Sequence, residues 1–279
     1  MQVSLLQMTS SDQPAENLSV VLDAMNQAKA VGSQMLFTPE VTNCVSLSRA
    51  HQEMVLEAWT GNSFIGAVRE HAAKIGLAVN LGSIGLKPDM GDGRFANRCV
   101  QINALGEIIA RYDKIHMFDV TLPDGEVYKE SSGYVPGDRA VVASTAIGNL
   151  GLTICYDLRF PYLFRTLAQS GAHVISVPSA FAVSTGQAHW HILLRARAIE
   201  AGCYIIAAAQ SGTHAGSGRK TYGHSLVVDP WGAIVLDAGT QTGLFHASID
   251  LTAVDKARAA VPSLVSDNDF QVVTDPNGY

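Results

Sequence analysis

Leu77 to Leu86 is a near-continuous apolar run of strand length. Such a run suits an interior strand covered on both faces, which demands layers above and below the sheet. Its surroundings supply them. Residues 16–31 carry Leu18, Val21, Leu22, Met25 and Ala28 at helical spacing before Gly32, and 61–75 carry Phe64, Ile65, Val68, Ala72 and Ile75 before Gly76. Short apolar runs at 2–8, 34–38, 141–147, 151–155, 173–178 and 204–209 read as strands, with helices expected at 161–170 and 187–201. Residues 95–103 and 107–112 flank Ala104-Leu105-Gly106 as a hairpin. A β-rich stretch at 223–249 turns at Asp229-Pro230-Trp231-Gly232, with Trp231 read as a core plug, and a short helix near 251–260 precedes a polar tail. The polar segment 115–139 reads as one long loop, a length that in a compact domain tends to be functional. Strands and helices thus alternate in an α/β pattern broken by hairpins. Without an internal repeat or linker, one domain over 1–279 is expected, with a core of about 1–262 and a tail at 263–279.

The 279 residues are 47% apolar and carry a formal charge of −6, enough for a large core. The 19 basic residues are scattered, with no run longer than Arg219-Lys220, which argues against nucleic-acid binding. Cysteines at 44, 99, 155 and 203 form no CxxC pair, so reduced thiols and a cytoplasmic location are expected. The opening segment lacks a basic signal-peptide start, and no apolar stretch is long enough for a membrane span.

Three ionisable residues stand where predicted strands end: Glu40 after Met-Leu-Phe-Thr-Pro, Lys114 after Ile-Ile-Ala-Arg-Tyr-Asp, and Cys155 after Gly-Leu-Thr-Ile. Strand ends in α/β sheets converge on a ligand crevice. There a carboxylate takes a thiol proton, the thiolate attacks, and an ammonium holds the charge that develops on oxygen. Helix N-terminal amides beside Cys155 would favour the thiolate. Each residue also has a plain reading: Cys155 as a small core hydrophobe, Glu40 as a solvated acid, Lys114 as a surface charge.

Taken together, Phe-Thr-Pro-Glu40, Tyr-Asp-Lys114-Ile-His and Gly-Leu-Thr-Ile-Cys155-Tyr-Asp resemble the three signatures of the nitrilase, or carbon–nitrogen hydrolase, superfamily, across roughly residues 1–262. The resemblance implies an α-β-β-α sandwich, a homodimer paired through an α face, and amide hydrolysis through a thioester with no metal or organic cofactor. By it, Cys155 is the nucleophile, Glu40 the general base, Lys114 the oxyanion cation aided by the Tyr156 backbone N–H, and Glu130 the second glutamate, preferred to Glu126. Cys155-Tyr-Asp-Leu-Arg-Phe-Pro, His189-Trp190-His191, residues 194–200 and Tyr222-Gly223-His224-Ser225 together resemble the branch that cleaves deaminated glutathione to α-ketoglutarate and cysteinylglycine. The alternatives are an ω-amidase acting on α-ketoglutaramate, or a hydrolase of N-carbamoyl amino acids or aliphatic amides. Such substrates are largely anionic, which makes Arg159 a candidate contact or, equally, a structural ion pair. His189 and His191, at i and i+2, diverge on a helix, so packing or hydrogen bonding is expected of them rather than metal ligation. The tail departs from the pattern: residues 263–269 are neutral to acidic where related chains often carry a basic cluster.

Overall fold

The computed structural model describes residues 1–87, 92–122, 125 and 127–274. Glu126 lies outside them. The first half runs β1 (Gln2–Gln7), α1 (Pro14–Ala30), β2 (Met35–Phe37), α2 (Arg49–Val55), α3 (Ser63–Ile75), β3 (Ala78–Leu86), β4 (Phe95–Ile102) and β5 (Ile108–Asp113). There follow β6 (Asp119–Thr121), β7 (Val127–Lys129) and β8 (Tyr134–Val135). The second half runs β9 (Val141–Thr145), β10 (Gly148–Leu152), α4 (Pro161–Gln169), β11 (Val174–Ser176), α5 (Val183–Ala201) and β12 (Tyr204–Ala207). It ends with β13 (Ser211–Thr213), β14 (Lys220–Tyr222), β15 (Leu226–Val228), β16 (Ile234–Asp237), β17 (Gly243–Ser248) and α6 (Thr252–Ala260).

Two sheets result, ordered β17-β1-β2-β3-β4-β5 and β9-β10-β11-β12-β15-β16. Along each, successive pairings are antiparallel, parallel, parallel, antiparallel and antiparallel. The two halves therefore repeat one topology although the sequence contains no repeat. Residue alternation makes the layers. On β2, Met35 and Phe37 join the core between the sheets, whereas Leu36 joins the core under α1 and α3. The outer face of the second sheet is covered by Leu163, Phe164 and Leu167 of α4 and by Trp190, Leu194 and Ala198 of α5. The expected α-β-β-α sandwich is the observed one.

Local chemistry sets the boundaries. Asn62 caps α3 by accepting from the Ile65 N–H at 3.0 Å, and Gly76 ends it at φ 65°, where a side chain would be strained. Pro14 and Pro161 each open a helix, where a missing N–H costs nothing.

The structure departs from expectation in three places. Segment 115–139 is no plain loop, because β6 and β7 pair as a hairpin and β8 adds to β4. The α2 helix and the β13–β14 hairpin carried too little apolar periodicity to be read. Trp231 is 65% exposed at its turn, so it does not plug the core.

Gly82 sits where the strand-end loops of the two halves meet. A Cβ there would lie 1.8 Å from the Thr38 carbonyl oxygen, 2.6 Å from Pro178 Cβ and 2.7 Å from the Pro39 oxygen. Two of these neighbours are backbone and cannot rotate away. Gly82→Ala is therefore expected to destabilise the fold by about 3 kcal/mol, the upper end of the usual overpacking cost, read as a lowered urea midpoint. A midpoint within experimental error of the parent would show that these loops yield freely.

Candidate active site

Lys114 follows β5 directly, whereas Glu40 and Cys155 each lie three residues past their strands, β2 and β10. All three are buried, at 2%, 4% and 8% exposure. They meet along a cavity of about 420 Å³ that also touches Phe118, Tyr128 and Phe181, a size suited to a small organic ligand.

Lys114 Nζ donates to Glu40 Oε1 at 2.8 Å and to both carboxylate oxygens of Glu130 at 2.9 Å. Glu40 Oε2 accepts from the Ala180 N–H at 2.8 Å, and Asn97 Nδ2 donates to Glu40 Oε1 at 3.0 Å. Glu130, in the one-turn helix after β7, accepts from the Phe118 N–H at 2.7 Å. The β6–β7 hairpin brings Glu130 to Lys114.

Cys155 opens a short 3₁₀ turn, Cys155–Arg159, at φ 47°, and Val41, next to Glu40, has φ 48°. Left-handed backbone at non-glycine residues costs of order 1–3 kcal/mol each and persists only where the surroundings over-determine it. Here the Cys155 N–H donates to the Pro178 carbonyl at 2.9 Å, and the Val41 N–H donates to Ser83 Oγ at 2.9 Å. The backbone N–H of Tyr156 lies in the first turn of the same short helix, where N–H groups lack intrahelical acceptors.

Electrostatics corrects one expectation. Burial foremost, then the Glu40 carboxylate, push the Cys155 thiol well up despite the attraction of Lys114. That direction favours the neutral thiol, opposite to the effect expected of neighbouring helix N-terminal amides. Burial also opposes the charge of Glu40, but the Lys114 ammonium prevails and holds that carboxyl below its ordinary value. Burial likewise opposes charge on Lys114, yet Glu130 and Glu40 keep it well above the usual ammonium value. The resting site therefore pairs a thiol with an ionised carboxylate and a fixed cation, an arrangement able to move a proton from sulfur to Glu40 as sulfur attacks an electrophile.

Asp157 ties the lysine segment to the cysteine turn. Its Oδ2 accepts from Tyr112 Oη at 2.7 Å and from the Ile154 N–H at 2.8 Å. Its Oδ1 accepts from the His116 N–H at 3.1 Å and contacts His116 Nδ1 at 2.6 Å. Tyr112 and His116 bracket Lys114, so one fully buried carboxylate sets both segments.

Arg159 is not among the residues lining the cavity. It contacts His189 at 3.3 Å and stands 5.6 Å from the Phe181 ring centroid and 6.0 Å from that of Tyr156. The cavity has other cations. Arg219 Nη2 donates to the Ala180 carbonyl at 2.6 Å, while its Nε is buried with no partner among the described residues. Arg49 lines the cavity from α2. Sequence reasoning passed over both, along with Asn97. The signal for Arg219 was its place just before Tyr222-Gly223-His224.

A family-wide profile for carbon–nitrogen hydrolases matches residues 2–259. The deaminated glutathione amidase of Yersinia enterocolitica is 39% identical over 264 residues, spanning 94% of this chain and 91% of that protein. Among solved structures, the C. elegans NitFhit protein superposes with a TM-score of 0.85 at 35% identity, covering 95% of this chain and 64% of that one. A mutant amidase from Nesterenkonia sp. AN1, showing Michael addition of acrylamide at its active site cysteine, superposes with a TM-score of 0.76 at 27% identity, covering 94% of this chain and 98% of that one.

Asp157→Asn sets an amide N–H₂ against groups that donate to Asp157. The expected cost is about 3 kcal/mol in urea unfolding, one charged hydrogen bond lost and one donor stranded. An unchanged midpoint would contradict the tie between the two segments.

Proposed function

The chain belongs to the carbon–nitrogen hydrolase family and is an amide-hydrolysing enzyme, and we propose that it works through a Cys155 thioester on a small anionic amide, deaminated glutathione foremost. The observation that carries this reading is the buried contact of Lys114 with both Glu40 and Glu130 beside the Cys155 turn.

In this mechanism Glu40 takes the Cys155 proton as sulfur attacks the amide carbonyl. The oxyanion is held by the Lys114 ammonium and the Tyr156 N–H, donors whose single loss typically lowers turnover about 10²–10³-fold. Glu40 then returns the proton to the departing amine. Water, activated by the same carboxylate, releases the acid from sulfur. Glu130, bonded through both oxygens, keeps Lys114 charged and aimed, a role that fits its position better than direct proton transfer. No step requires a metal or organic cofactor.

Two observations favour an anionic acyl group. Arg219, which lines the cavity, has a buried Nε without a partner among the described residues, and Arg49 and Lys129 line the same space. The role first considered for Arg159 therefore passes to Arg219. Similarity to the Yersinia protein supports the α-ketoglutaramyl amide as the substrate, with cysteinylglycine leaving. The ω-amidase reading needs the same carboxylate contact and differs only in the leaving group.

The remaining readings are a single domain over 1–279, a cytoplasmic enzyme without nucleic-acid partners, and pairing of two copies through an α face. The α5 helix favours such pairing, because it leaves Ile192 and Ile199 exposed. Among the described residues no helix is long and apolar enough to cross a membrane.

The deciding experiment compares kcat/KM on deaminated glutathione, scored by cysteinylglycine, with that on α-ketoglutaramate, scored by ammonia. A tenfold or greater preference for the former is expected, and the reverse preference would move the assignment to the ω-amidase. Cys155→Ala should reduce turnover to background without altering the unfolding midpoint, and appreciable residual turnover would remove Cys155 as the nucleophile. Arg219→Gln should raise KM for either anion about tenfold or more, corresponding to ~1.4 kcal/mol, while a neutral aliphatic amide is unaffected.

A further inference from the structure

Away from the cavity, three side chains from separate elements converge: His191 of α5, His224 in the turn between β14 and β15, and Asp237 at the end of β16. Their candidate ligand atoms all lie within 4.8 Å of one another. His191 Nε2 is 3.0 Å from Asp237 Oδ2, and His224 Nδ1 is 2.9 Å from Asp237 Oδ1. All three are partly exposed, so an ion could enter and keep solvent in a remaining position.

The cluster is fixed more firmly than surface residues ordinarily are. His224 has φ 54°, a left-handed conformation uncommon outside glycine. Its N–H donates to the Gly239 carbonyl at 2.6 Å, and its carbonyl accepts from the buried indole of Trp190 at 2.8 Å. Its ring stacks on Tyr222 with centroids 4.4 Å apart. Asp237 Oδ1 also accepts from the Gly239 N–H at 2.9 Å, the kind of outer bond that orients a ligating carboxylate.

We propose that His191, His224 and Asp237 form a binding site for a first-row divalent metal, with Zn²⁺ the best match to a two-imidazole, one-carboxylate set. Ligands about 2.0–2.2 Å from Zn²⁺ stand roughly 3.3–3.6 Å apart in a tetrahedron, a few tenths of an ångström more than the 3.0 and 2.9 Å of the two His–Asp contacts. Neutral imidazole and ionised carboxylate are the ligating forms of these side chains. The site is structural: a bound ion would clip α5 to the β15–β16 edge of the second sheet. It is independent of the amidase chemistry, and it adds a further role to the hydrogen bonding expected of the α5 histidines, which His191 makes to Asp237. His189 turns away to Arg159, while His191 finds ligand partners distant in sequence.

The test is calorimetric titration of Zn²⁺ into chelator-treated, dialysed full-length protein, paired with thermal unfolding at increasing Zn²⁺. One saturable site per chain is expected, with a melting temperature that rises with metal concentration. His191→Ala and Asp237→Asn, judged folded by near-UV circular dichroism, should each weaken the site tenfold or more and abolish the rise. Cys155→Ala should leave both readouts intact, and Co²⁺ in place of Zn²⁺ should give visible absorption without a thiolate charge-transfer band. Absence of saturable binding overturns the proposal. So does binding that survives both ligand variants or disappears with Cys155→Ala.

Discussion

Burying Lys114 between two carboxylates is the constraint around which the rest is arranged. An ammonium and two carboxylates removed from water each face a desolvation penalty of several kcal/mol, and attraction recovers it only with good geometry and additional hydrogen bonds. The fold supplies both. Glu40 receives the Ala180 N–H and the Asn97 amide, Glu130 receives the Phe118 N–H, and Lys114 donates to both acids. The Ala180 N–H comes from the second half of the chain and Glu40 from the first, so the charge cluster is satisfied only when the two sheets are packed together. Asp157 extends the same logic, holding Lys114's neighbours against the turn that presents Cys155.

Much of this was legible in the sequence because it rests on local signals. Helices α1 and α3 declared themselves by apolar spacing and by Gly32 and Gly76, and β3 by an apolar run that only an interior strand needs. Glu40, Lys114 and Cys155 were visible as ionisable residues ending such runs, and the resemblance joined them. Glu130 was legible through the resemblance alone, because the hairpin that delivers it is short and polar. What escaped notice depends on contacts distant in sequence. Arg219 and Asn97 acquire meaning only once they meet segments 39 and 57 residues away, at Ala180 and Glu40. Arg159 looked suitable by nearness to Cys155 along the chain, but its guanidinium meets His189 and does not line the cavity. Trp231 looked like a plug by its size, yet it lies at the tip of a turn. The acidic tail has a local partner after all: Asp267 pairs with Arg165 of α4, and Gln169 donates to Leu264.

The repeated topology explains why the site lies between the halves. Pro39 and Pro178 each stand two residues past the third strand of their own sheet, β2 and β11, and both approach Gly82. Glu40 and Ser179 are then topological counterparts, as are Ser10 and Cys155. One half supplies the acid and the other the thiol, from positions related by the same connectivity. The correspondence lies in the pairing pattern and not in the residues.

The register of β1 has a consequence for how the molecule comes into being. Gln2 to Gln7 pairs on one side with β2, but its other side is closed only by β17, with Gln2 opposite Ser248. During synthesis at roughly 5–20 residues per second, that edge waits some 12–50 s for its partner to leave the ribosome. For that interval the nascent chain carries an open, apolar strand edge of the kind that recruits other chains. β1 is thus among the last strands completed, which makes the window before β17 emerges the period of greatest exposure to mispairing and to chaperones.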